Sequence, residues 1–266
     1  MLKEFFGIGG YTREPEGYFS WQHLAFVSAL MVIMVGLAIL LAKRNKNKSI
    51  QEKNRVLIVA AILMDTVEIV KIVIDCAFSS GWLGWLNDLP LFLCSIQFIT
   101  LPLAAFCHGR IKEASLDFVA IFGLLGAVTG TYCAGNNYAS YPVLSVSNVF
   151  SGITHTAAGF AALYIIFTGM AGMKKRNIPI TFAIIFSFSI LAYAANLFLD
   201  TNYMFLMQGD GTPYDILFNL LGGSPVLYPL GVVALFVVYI MLVYHICFMV
   251  RRKKTKNNLP GDSAAC

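Results

Sequence analysis

Charge is what this sequence has least of: Asp, Glu, Lys and Arg make up 12% of its 266 residues, about half the share usual in a soluble domain. With 58% apolar residues and a mean hydropathy of +0.72, a water-soluble enzyme is excluded before any motif is read. Segments of about ten residues with alternating polarity, the mark of a transmembrane barrel, are also missing. The apolar runs are continuous, so the expected class is all-α. Among the six cysteines, Cys76, Cys94, Cys107, Cys133, Cys247 and Cys266, no two stand in a CxxC or CxxxC spacing, which argues against a zinc centre. No metal and no cofactor is expected. Cys76 and Cys133 fall near outer helix ends and are read as packing residues in preference to a disulfide.

A helix crosses the hydrocarbon in about 20 apolar residues. That window predicts seven transmembrane helices over 22–42, 56–78, 89–107, 115–133, 148–172, 178–199 and 227–250. Residues 1–21 lack the small-residue cleavage site of a signal peptide and are read as an extracellular segment. Residues 22–250 form the seven-helix domain, and 251–266 form a basic tail. Orientation follows from the short loops, because Lys and Arg stay on the cytoplasmic side. Lys43, Arg44, Lys46, Lys48, Lys53 and Arg55 follow helix 1, and Arg110 and Lys112 follow helix 3. Lys174, Lys175 and Arg176 follow helix 5, and Arg251, Arg252, Lys253, Lys254 and Lys256 fill the tail. Only Lys3, Arg13 and the intrahelical Lys71 fall elsewhere, so the N-terminus is expected outside and the C-terminus in the cytoplasm. Anionic headgroups account for the basic clusters, and no nucleic-acid partner is implied. The expected location is the cell membrane.

Ionisable groups at membrane depth normally face a partner or a wet cavity. Helix 2 carries Asp65, Glu68, Lys71 and Asp75 at spacings that put all four on one face. Helix 6 repeats the pattern with Ser189, Tyr193, Asn196 and Asp200, and helix 5 with Asn148, Ser151 and His155. Helix 3 offers Cys94 and Gln97 one turn apart, just beyond Leu89-Pro90. From the 1.5 Å rise per residue, Lys71, Cys94, His155 and Tyr193 lie roughly 8–11 Å below the outer surface. His23 stands near the same side. Two explanations fit these stripes, a dry network holding helices together or an outward-facing cavity. A thiol and an imidazole at one depth favour the cavity, since an imidazole that removes a thiol proton is the minimal apparatus of nucleophilic acyl transfer. Residues 200–226, rich in Gly and Pro, are long enough either to cover that cavity or to be a mobile connector. The sequence Gly123-Leu-Leu-Gly126-Ala-Val-Thr-Gly130 reads as a close helix contact.

Seven helices combined with Leu89-Pro90-Leu91-Phe92-Leu93-Cys94, His155, Asn202-Tyr203-Met204-Phe205-Leu206 and the segment Gly222 to Tyr228 resemble the YwaF-like integral membrane family. That bacterial family is similar to the eukaryotic transmembrane protein 164 family. Glu68 and Lys71 also fall where family members carry them. The resemblance implies a phospholipid acyltransferase that moves a fatty acyl chain through a Cys and a His, with His155 matching the family histidine. The family cysteine directly follows the helix 3 proline, at the position of Leu91 here, and Cys94 stands one turn later.

Two functions therefore remain open. One is an enzyme handling lipid acyl chains, with Cys94 as nucleophile, His155 as base, and Glu68, Lys71 or Asn196 orienting groups. The other is a carrier or sensor of a small polar solute that uses the same cavity through Glu68, Lys71 and Asp200, and in either case Glu68, Lys71, Gln97, Tyr193, Asn196, Asn202 and Tyr203 are the candidate binding residues. Either would have membrane lipids as partners. Helix 7 contains no Lys, which excludes a Schiff-base retinal receptor.

Overall fold

The computed structural model describes residues 2–8, 10–11, 13–78 and 81–257; the last part of the basic tail, Cys266 included, lies outside them. After a short α1 (Leu2–Phe6), the Ser20 hydroxyl caps α2 (Trp21–Asn45) by accepting the His23 amide at 3.2 Å. A four-residue turn leads to α3 (Ile50–Phe78), which opens on a reciprocal cap. Ser49 Oγ accepts the Glu52 amide at 3.3 Å while the Glu52 carboxylate accepts the Ser49 amide at 3.1 Å. Those bonds from Ser49 hold the Glu52 carboxyl below its usual range.

The expected helix over 89–107 is not continuous. A 3₁₀ turn at Gly84–Asp88 leads into a run of turns through Ile96, and only then does α4 (Gln97–Phe106) begin. Pro90 disfavours helical geometry at Leu89 and cannot donate a backbone bond, so no helix runs through it from the 3₁₀ turn. With 10 residues, α4 rises about 15 Å, half the hydrocarbon thickness. Cys94 thus sits on irregular backbone above a half-length helix.

There follow α5 (Gly109–Tyr132), α6 (Gly135–Ser140), α7 (Val146–Thr168), α8 (Ile178–Leu199), α9 (Tyr214–Leu220) and α10 (Leu227–Asn257). Among the described residues five helices, α2, α5, α7, α8 and α10, are long and apolar enough to cross a membrane. The 29-residue α3 has the length, but its charged stripe lowers its apolarity. Gly169, with φ 69°, ends α7 before the expected boundary at 172. No strand occurs among the described residues.

The middle of the bundle is α5 against α7, flanked by α2 and α3 on α7 and by α4 on α5. Every residue of α5 from Ala114 to Gly123 is buried, as expected of a helix surrounded by others. The two backbones approach closely at Gly123, where a Cβ would lie 2.7 Å from the Ala158 carbonyl oxygen. At one end, buried Asp117 accepts from the Met173 amide, Asn177 Nδ2 and the Tyr244 hydroxyl at 2.8, 2.8 and 3.0 Å, joining α5 to α10.

At the other end, the segment after α8 is a packed strap and not a free connector. Tyr203, Met204 and Leu206 are each 1% exposed. Asn196 clamps the strap, accepting the Tyr203 amide at 2.6 Å and donating to the Tyr203 carbonyl at 3.1 Å. Met204 and Phe205 have φ of 56° and 55°, a conformation that non-glycine residues adopt at a cost of order 1–3 kcal/mol. The clamp offsets that cost. Asn196→Ala should therefore destabilise the protein by about 1–3 kcal/mol and should raise amide exchange selectively over the strap. Unchanged exchange there would show that packing alone holds it.

Candidate functional site

Lys71 is the centre of a three-group ion ladder. Its ammonium lies 2.9 Å from the Glu68 carboxylate, one turn earlier on α3, and 2.8 Å from Asp88. The Glu68 and Lys71 pair is the one the helical spacing anticipates. Asp88 is not, because it arrives from the 3₁₀ turn across a gap in the chain that no helical periodicity bridges. The only sequence signal for it was an acidic residue just before Leu89-Pro90. Of the neighbouring stripe residues, Asp75 lies within electrostatic reach of all three members. Asp65 keeps one buried carboxylate oxygen without a partner, and so stands apart from the ladder.

Cys94 and His155 are brought together. The thiol and the imidazole are neighbours, and the charge of Glu68 reaches the imidazole. Two glycines of α5, one turn apart, make room for them. A Cβ on Gly126 would lie 3.5 Å from Cys94 Cβ, and one on Gly130 would fall on the His155 ring. The glycine run read as a helix contact therefore divides into two parts: Gly123 meets the α7 backbone, whereas Gly126 and Gly130 form the floor of the Cys94 and His155 pair. Without a structure this role had no signal distinct from helix packing.

The hydrogen bonds of His155 fix its chemistry. Nδ1 lies 2.8 Å from the Ser151 carbonyl oxygen and 3.3 Å from the Ser151 hydroxyl. A carbonyl only accepts, so Nδ1 carries the proton and the neutral ring presents a lone pair at Nε2. Nε2 is buried and makes no hydrogen bond. The spacing of Ser151 and His155 along α7 thus orients a base toward the thiol side. Gln97, one turn after Cys94, is 1% exposed. Its Oε1 accepts from Thr100 at 3.1 Å while Nε2 has no partner. Gln97 and His155 thus each keep a buried nitrogen without a hydrogen bond, which is unusual.

The remaining sequence candidates serve the strap. Tyr193 donates to the Pro225 carbonyl at 3.0 Å, and Asn202 donates to Asp210 at 2.8 Å. The Tyr203 hydroxyl donates to the Leu86 carbonyl, and its ring meets Phe92 edge-on at 5.0 Å. Tyr203 therefore reaches the site indirectly, by holding the segment that carries Asp88 and Cys94. Asn148 binds the Tyr141 and Pro142 carbonyls at 3.2 and 3.0 Å. His23 spans the Phe19 amide and the Thr131 carbonyl at 3.2 Å each and stacks on Tyr138, tying down the N-terminal segment. Among the described residues no His, Cys, Asp or Glu cluster is arranged to hold a metal.

Apolar helices around a thiol, an imidazole and a buried ion ladder define a multi-pass membrane protein with a polar interior site. The model of the TMEM164 family matches residues 18–252, and the chain belongs to that family. No curated protein and no solved structure matches it.

Proposed function

We propose that this protein is a cell-membrane enzyme that transfers a fatty acyl chain between lipids through Cys94 and His155. The observation that carries the reading is the contact of His155 Nδ1 with the Ser151 carbonyl, which leaves Nε2 without a hydrogen bond in an imidazole that neighbours the Cys94 thiol. In the first half-reaction Nε2 takes the thiol proton and sulfur attacks the acyl carbonyl of a donor lipid. The C–O ester bond breaks, a thioester forms, and the imidazolium returns the proton to the leaving alkoxide. In the second half-reaction Nε2 takes the proton of an acceptor hydroxyl, whose oxygen attacks the thioester and frees the thiol. Gln97 Nε2 supplies a donor for the oxyanion, and Ser151 and Glu68 orient and balance the imidazolium. No cofactor is needed for this chemistry.

The membrane arrangement that suits it has seven crossings, with α3 as the second and the turns plus α4 as a broken third. Residues 1–21 are then outside, 22–250 span, and the basic tail 251–266 is cytoplasmic. The distribution of loop Lys and Arg supports this orientation. A carrier of a polar solute is less well supported, because Glu68 and Lys71 spend their charge on each other and on Asp88.

The test supplies purified protein in vesicles with a phospholipid bearing an isotope-labelled acyl chain and a lysophospholipid acceptor. Labelled acyl chain should appear on the acceptor, with a thioester on Cys94 that hydroxylamine releases. Cys94→Ser should abolish transfer, and His155→Ala should reduce it about a hundredfold or more. Transfer that survives Cys94→Ser, or folded protein that neither transfers nor acylates, would overturn the proposal.

A further inference from the structure

Far from that site, an open depression of about 250 Å³ at the turn between α2 and α3 has Arg44, Lys48 and Arg55 on its walls. We propose that it holds the phosphate of an anionic glycerophospholipid.

Among the described residues, none of these three cations is in an ion pair. The one carboxylate on the wall, Glu52, accepts the Ser49 amide and hydroxyl at 3.1 and 3.0 Å through Oε2 and offsets only part of the charge of Lys48 and Arg55. Three cations against one anion leave a positive site, and Arg offers the paired donors that suit phosphate oxygens. The helix ends fix the depth: Arg44 closes α2 and Arg55 lies in the second turn of α3, where headgroups meet transmembrane helices.

A lipid suits this site better than a soluble anion because its remaining wall, Asn45 apart, is apolar. Leu41 and Val56 line it, and one turn further along each helix Leu37 and Val59 are 45% and 65% exposed. An apolar track therefore runs from the site onto the outer surface of both helices, where acyl chains would lie. Nothing in this inference depends on acyl transfer at Cys94.

The full-length protein in phosphatidylcholine nanodiscs, with and without phosphatidylglycerol, tests it by thermal melting and native mass spectrometry. Phosphatidylglycerol should raise the melting temperature and should remain bound through delipidation. The triple variant Arg44→Gln, Lys48→Gln, Arg55→Gln should lose retention about tenfold or more. The control triple Lys175→Gln, Arg251→Gln, Arg252→Gln removes equal charge elsewhere and should retain the lipid. Should the first triple melt early in pure phosphatidylcholine, the single change Arg44→Gln, expected to lose retention about fivefold, carries the same comparison. Equal losses in the site variants and the control would overturn the site in favour of diffuse attraction. Stabilisation by inorganic phosphate equal to that by phosphatidylglycerol would overturn the lipid in favour of a free anion.

Discussion

Lys71→Met should be among the most destabilising single changes in this protein. It leaves the carboxylates of Glu68 and Asp88, 2.9 and 2.8 Å from the ammonium, without that counter-ion at largely buried positions. Breaking a buried pair by removing one partner costs about 3–5 kcal/mol. The Lys71, Glu68 and Asp88 side chains are 14, 14 and 22% exposed, which puts the expected loss near the lower end of that range. The sign of the rescue distinguishes this account from simple loss of packing. Glu68→Gln with Asp88→Asn, added to Lys71→Met, removes the stranded charges and should recover part of the melting temperature, although two more residues have been changed. A triple variant that melts no higher than Lys71→Met would show that the three groups are solvated independently.

Gly130→Ala should disconnect His155 from Cys94, and Gly126→Ala should not. At Gly130 the added methyl falls on the imidazole ring, whereas at Gly126 it meets Cys94 Cβ at an ordinary 3.5 Å. The α5 backbone is also packed against α4, which opposes its retreat from α7, so the ring must leave its place. A lipophilic electrophile should then label Cys94 about tenfold more slowly in Gly130→Ala, matching His155→Ala, since only the ionised thiol reacts. Gly126→Ala should label at the wild-type rate. Equal rates in the two alanine variants would mean that the imidazole does not govern the thiol.

Much of the site is written in spacings. Glu68 and Lys71 are three residues apart, so a helix places them in contact whatever surrounds it. Ser151 and His155 are four apart, and the same rule orients the ring through the Ser151 carbonyl. Cys94 and His155 were paired only by an estimate of depth, and their meeting depends on where α5 lets Cys94 and α7 approach. Asp88 was not legible, since a residue entering from a 3₁₀ turn has no period to read. Tyr193 and Asn196 read in sequence as part of a polar stripe, and Asn202 and Tyr203 as binding residues, because hydrogen-bonding side chains look alike whether they bind a ligand or a backbone. The continuous helix expected over 89–107 rests on counting apolar residues, which does not distinguish a helix from the apolar turns at 90–96.

By itself the sequence determined the class of this protein, its family and the positions of most of its helices. Apolar run length and helical period are local quantities, set by the thickness of the hydrocarbon and by 3.6 residues per turn. The tertiary structure decided which polar groups meet: that Asp88 completes the ladder, that Gly126 and Gly130 seat the thiol and the imidazole, and that residues 200–226 form a strap. Those are contacts between segments far apart in the chain, fixed by how closely helices can pack and by the requirement that buried polar groups find partners. No spacing along one helix encodes either condition.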